Sequence, residues 1–161
     1  MTLSEIRAQA ITPALALLPA RMSSPEAEVM LLAIGLQESR FQHRRQLAGP
    51  AKSFWQAEQG GGMVSGLLRY HDDRVRDLVV GLCAVRGVDP SPRAVWDAVE
   101  QDVVLAAGLA RLLLWTDPGR LPRIGDADGA WQLYVRTWRP GKPHRGTWDA
   151  LYAKSVDEVS R

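Results

Sequence analysis

The chain has a single cysteine, Cys83. A lone thiol excludes a disulfide within the chain and a structural zinc site of the usual cysteine-rich kind. Leu82 and Ala84 beside it mark a buried thiol, and no basic residue paired with a nearby histidine is placed to lower its pKa. His43, His71 and His144 are far apart and show no ligand spacing, so neither a metal nor another cofactor is expected. No run approaches the roughly 20 apolar residues that a membrane span needs. Gly60-Gly61-Gly62 lacks the Lys-Ser or Lys-Thr that completes a phosphate-binding P-loop and follows no strand, so it reads as the lip of a cleft. Repeats, low-complexity tracts and linkers are also missing, which predicts one domain over residues 1–161.

What the chain does have is the composition of an ordinary globular protein: 161 residues, 46% hydrophobic and 24% charged. That length suffices to bury a core without staples. The net charge is only +2, yet basic residues gather between Arg40 and Arg45 and again between Arg136 and Arg145. Such clusters suit a polyanion, whether nucleic acid, an anionic membrane surface or an acidic envelope polymer, and charge alone selects none of these. No helix carries a basic face aimed at base edges, so nucleic acid is not the expected partner. The apolar stretch Ala8 to Ala20 follows Glu5 and is interrupted by Pro13 and Pro19. It reads as a helix of the fold, and no signal peptide is expected.

Apolar spacing is helical nearly everywhere, and strands have almost no claim on the sequence. A first helix is predicted from Leu3 to Leu18, bent near Pro13. A second follows Ser23-Ser24-Pro25, with Ser23 and Glu26 at capping-box spacing and Val29, Leu32, Ala33 and Leu36 as its stripe, and ends around Ser39. Periodicity then lapses from Arg40 to Met63, where glycines and Pro50 predict an irregular, ordered loop. Further helices are predicted at Met63 to Tyr70, Asp72 to Val85, Pro92 to Glu100 behind a Ser91 cap, Gln101 to Trp115 and Asp128 to Trp138, with a last one from Trp148 behind a Thr147 cap. The segment Gln101 to Trp115 has almost no polar face and is expected to be the central buried helix. Prolines and glycines between Trp138 and Trp148 predict a non-helical connection.

The chemistry concentrates between Leu31 and Gln56. Glu38 lies in the last turn of the second helix, after an apolar stripe and before the loop. A carboxyl group held against Leu36 and Phe41 has a raised pKa and can stay protonated to donate to a leaving oxygen, as glycoside cleavage requires. A carboxylate at a helix C-terminus opposes the helix dipole, so a structural reason for it is weak.

The stretch Glu38-Ser39-Arg40-Phe41, followed without any gap in spacing by Pro50-Ala51-Lys52-Ser53-Phe54-Trp55-Gln56, resembles the signature of the lytic transglycosylases and their lysozyme-like relatives, including phage-encoded ones. That signature joins a Glu-Ser pair, an aromatic two residues later, and a loop of the form Gly-Ala-x-Gly-Leu-Met-Gln. Pro50 and Ser53 stand where this loop has glycines, unless Gly49 is shifted into place. A weaker echo lies at Trp131, Tyr134 and Trp138, where the family carries Ala-Tyr-Asn and this chain continues from Tyr134 with Val135 and Arg136. The resemblance implies an all-α, lysozyme-like domain that cleaves peptidoglycan between N-acetylmuramic acid and N-acetylglucosamine. It implies Glu38 as catalytic acid and then base, Gln56 and Ser39 on the substrate side, and Tyr134 orienting Glu38.

Trp55 is a candidate for stacking on a sugar ring, whereas Phe54 and Trp138 read as core. Should the reaction be a hydrolysis, Glu58, Asp72 and Asp73 are the nearest second carboxylates, and spacing favours none. Glycan strands are the expected partner, reached through a holin or by virion delivery. The alternative is a structural or virion-associated phage protein that keeps this fold, associates with other virion proteins and has weak or no activity.

Overall fold

The computed structural model describes residues 1–161 and resolves the helical spacing into eight α-helices: α1 (Leu3–Ile6), α2 (Thr12–Ala16), α3 (Pro25–Ser39), α4 (Asp73–Val85), α5 (Pro92–Ala98), α6 (Val103–Trp115), α7 (Ala127–Trp138) and α8 (Arg145–Val159). The fold is all-α, and its only β features are isolated bridges pairing Lys52 with Arg45 and with Ala57. No helix is long and apolar enough to cross a membrane.

Local chemistry accounts for where several helices depart from the predicted bounds. Between α1 and α2 the chain runs through a π-helical turn, Arg7–Ile11, in which the Thr12 N–H donates to Arg7 O. Pro13 is therefore in the first turn of α2. The wider turn upstream absorbs the missing N–H and the bulk of the ring, where a simple bend was expected. Ser24, not Ser23, caps α3, accepting from the Ala27 N–H at 3.2 Å, because Pro25 occupies the first helical position. Asp102 accepts from the Leu105 N–H at 2.9 Å, which starts α6 at Val103 instead of Gln101. Asp126 does the same for Gly129 at 2.8 Å and starts α7. The connection before α8 is shorter than predicted. With no proline after Pro143, the helix begins at Arg145, and Thr147 lies in its first turn instead of capping it.

One hydrophobic cluster of 42 buried residues, from Ile6 to Tyr152, forms the core. Helix α3 packs chiefly along α8, and α6 packs against the N-terminal helices and α4. Every residue from Leu105 to Leu114 is buried, as expected of a central helix. Each leucine fully removed from water there contributes about 1.5–3 kcal/mol. Cys83 is fully buried and burial pushes its thiol pKa up, so it packs as a small apolar side chain.

The loop between α3 and the π-helical turn Gly62–Gly66 is held by polar contacts. Lys52 is almost entirely buried, its Nζ 2.8 Å from Asp97 and 3.3 Å from Glu100 and 3.7 Å from the centre of the Trp96 ring. Burying an ammonium group costs several kcal/mol unless it is paired, so these partners are what allow the loop to close over α5. At the other end of the loop, Phe41 occupies space that Gly35 leaves open, since a β-carbon at residue 35 would collide with Phe41 Cζ and Cε1. Gly35→Ala is accordingly expected to destabilise the protein by about 1–3 kcal/mol, the range of core overpacking. Urea denaturation of the two proteins measures this, and unchanged stability would show that the aromatic loop is not wedged against α3.

Candidate active site

Helix α3 stops where the backbone turns left-handed, with φ of 54° at both Arg40 and Phe41. This reversal is fixed by Ser39. Its buried hydroxyl lies 2.7 Å from Phe54 O and 3.1 Å from Gly35 O, and accepts from the Phe41 N–H at 3.2 Å. A single hydroxyl proton serves one acceptor, and the nearer carbonyl, that of Phe54, is the better placed. The bond ties the end of α3 to the far side of the loop. Phe41, Phe54 and Trp55 fill the space beneath with edge-to-face contacts at 5.5, 5.9 and 6.5 Å between ring centres. Left-handed backbone recurs at Ser53, φ 70°, and Gln56, φ 54°. Ser53 stands where the resembled loop has glycine, the residue that tolerates this conformation without strain.

With its helix end anchored, Glu38 is half-buried and directed toward α7. The Tyr134 hydroxyl donates to Glu38 Oε1 at 2.6 Å. Tyr134 is buried and stacks on Trp148, with ring centres 5.2 Å apart and planes within 11°, so its hydroxyl has little freedom. Burial raises the Glu38 pKa above the ordinary glutamate value, and the Tyr134 hydrogen bond partly offsets this by favouring the carboxylate. Burial, the Glu38 charge and the same hydrogen bond all raise the pKa of Tyr134, which therefore stays a neutral donor.

The structure brings together Glu38 and Tyr134 as expected and reassigns two other residues. Trp55 has no exposed surface and its indole N–H donates to Leu31 O at 2.9 Å. No ring face is open to a sugar, because the core claims both the ring and its polar atom. Ser39 is likewise spent internally, its hydroxyl saturated by backbone groups, and it positions Glu38 without reaching the substrate side. Phe54 is core, as expected. Gln56 is half-buried, its side-chain amide donating to Ser53 O at 2.9 Å, and it lines a cleft.

That cleft has a volume of about 1020 Å³ and is walled by Gln56, Glu58, the triplet Gly60 to Gly62, Tyr70, Asp117 and the last turn of α7. Glu38 and Tyr134 are not among its lining residues. Trp138, one turn beyond Tyr134 on α7, does line it, and its indole N–H donates to Trp55 O at 3.0 Å. Trp138 thus packs against the core, as expected of it, and is also a wall residue of the cleft. Its signal was its spacing, one helical turn beyond Tyr134 on the same face. Gln37 was also missed: it donates to His144 O at 3.1 Å, accepts from the Thr147 hydroxyl at 3.1 Å, and so fastens α3 to the start of α8.

No family model, curated protein or solved structure matches the chain. The site therefore rests on its own geometry. No three His, Cys, Asp or Glu side chains converge where they could hold a metal ion. Of the carboxylates considered as partners for Glu38, Asp72 caps α4 and pairs with Arg74 at 2.9 Å, and Asp73 pairs with Arg76. Only Glu58, exposed in the cleft wall, has no ion-pair partner.

Two measurements check the Glu38 environment. Tyr134→Phe removes the bond that favours the carboxylate, so the Glu38 pKa should rise further above the ordinary glutamate range. A carbon-13 NMR titration of the carboxyl group reads this directly, and an unchanged or lower value would contradict the geometry. A raised folded-state pKa also means that the stability contributed by Glu38 is complete below its unfolded value and is lost as pH rises through the folded value. Glu38→Gln, which keeps an acceptor for Tyr134 but carries no charge, should therefore gain thermal stability relative to the native protein as pH rises through that window, and the gain should level off above it.

Proposed function

We propose that the protein cleaves glycosidic bonds of peptidoglycan, between N-acetylmuramic acid and N-acetylglucosamine, with Glu38 as the acid that protonates the leaving oxygen and then as the base. The observation that carries this reading is the Glu38 carboxyl group itself. It is half-buried, raised in pKa by that burial and fixed by Tyr134, whose helix also lines a cleft of about 1020 Å³. General acid catalysis is helped by a carboxyl group of raised proton affinity, and burial raises that of Glu38. The resemblance of Glu38-Ser39-Arg40-Phe41 and the loop ending at Gln56 to lytic transglycosylases supports the same assignment.

The single-acid route suits the residues present. In a transglycosylase the sugar's own 6-hydroxyl attacks, Glu38 takes its proton, and an anhydro product leaves without consuming water. Tyr134 holds the carboxyl group in place, and Gln56 and Trp138 of the cleft wall are the residues assigned to the bound glycan. Glu58 is the one cleft carboxylate able to serve a hydrolytic variant of the reaction.

Digestion of purified peptidoglycan by the native protein and by Glu38→Gln, with mass spectrometry of the released fragments, tests the assignment. Anhydro fragments from the native protein, with the variant slowed roughly 10²–10⁴-fold, are the expected result. Reducing-end fragments would retain Glu38 and bring Glu58 in as partner. Inactivity of both proteins would overturn the enzymatic reading and favour a virion-associated structural protein.

A further inference from the structure

Helix α6 carries one charged residue among its buried positions, Arg111. Its side chain is 2% exposed, and its only hydrogen bond runs from Nε to Met22 O at 2.7 Å. Nη1 is fully buried and has no partner. No carboxylate forms an ion pair with it. An unpaired guanidinium in the interior is expensive, and buried charges in folded proteins are ordinarily matched by an opposite charge or a ligand. Burial pushes its pKa down to about 10, which leaves it cationic at neutral pH.

Arg111 lines a cavity of about 540 Å³ that Arg21, Arg120, Arg123 and Trp115 also line. None of these four arginines forms an ion pair, whereas nine other basic residues of the chain do. The guanidinium carbons of Arg21 and Arg111 lie 5.6 and 5.3 Å from the centre of the Trp115 ring, so both share that aromatic neighbour. Two carboxylates are present in the lining, Glu26 and Asp117. Asp117 is already taken by Arg136 at 3.0 Å. Four free guanidinium groups against one free carboxylate leave a surplus suited to a multiply charged anion.

We propose that this cavity is a binding site for a phosphate group, either the free ion or the phosphate of a small ester, with Arg111 as the buried anchor and Arg120 and Arg123 as rim contacts. Guanidinium forks match phosphate oxygens two at a time, and a dianion offsets the surplus charge more fully than a single carboxylate does. The site is separate from Glu38 and does not depend on the glycosidase reading. Asp117 and Pro118 are the wall it shares with the neighbouring cleft.

Calorimetric titration of the full chain with inorganic phosphate, and in parallel with glycerol phosphate, at ionic strength matched by chloride, tests the site. Saturable binding of one equivalent is expected. Arg120→Ser and Arg123→Ser should each weaken it roughly tenfold, the worth of one charged hydrogen bond. Arg111→Met should abolish it, and if that variant fails to fold the two exposed rim variants decide the matter. Equal binding of both probes would assign the free ion, and tighter binding of the ester would assign an esterified ligand. No saturable binding of either probe, or binding that the rim variants leave unchanged, would overturn the proposal.

Discussion

The hydroxyl of Ser39 reaches Phe54 O across a loop that has almost no regular structure, and the candidate site depends on that bond. It converts the fraying end of α3 into a fixed corner. The left-handed turn at Arg40 and Phe41 follows from it, as does the wedge of Phe41 beneath Gly35. Only with the corner held does Glu38 meet Tyr134 instead of swinging into solvent, where its pKa would relax to that of a free glutamate. The environment of the Glu38 carboxyl group is thus held by a neutral residue that does not bond to it.

Charge is distributed by a similar division of labour. Lys52 is buried but matched by Asp97 and Glu100, and it pins the loop. Arg136 and Arg145, at the two ends of the second basic cluster, are consumed by Asp117 and by Asp128 with Asp149. Those two arginines are therefore fasteners between elements, while Arg40, Arg45, Arg139 and Lys142 of the two clusters stay exposed and form no ion pair. The buried unmatched charge is that of Arg111, which the apolar pattern of α6 concealed.

The helices were legible because their signals are local. Apolar stripes, the Pro25 start and the Asp72 to Val85 periodicity each act within a few turns of chain. Boundaries slipped where two residues compete for one role, as Ser23 and Ser24 do for the cap of α3, or where Pro143 releases the chain into α8 sooner than its glycines suggested. The pairing of Glu38 with Tyr134 was reached through resemblance alone, because nothing local links residues on opposite sides of the fold. Trp55 proved to be core, and Trp138 packs against the core and also lines the cleft, for a related reason. Both are large aromatics beside the same loop, and which one faces the cleft is decided by where the indole N–H finds its carbonyl: Leu31 for Trp55 and Trp55 for Trp138.

Helix α7 presents Tyr134 and Trp138 one turn apart, the first bonded to Glu38 and the second to Trp55 O. Both anchors lie on the α3 side of the molecule, so α7 cannot slide or tilt away from that side without straining the two bonds together. One wall of the cleft and the hydrogen bond to the carboxyl group are in this way carried by a single helix. A displacement that made room for a bulkier chain would also alter the acid.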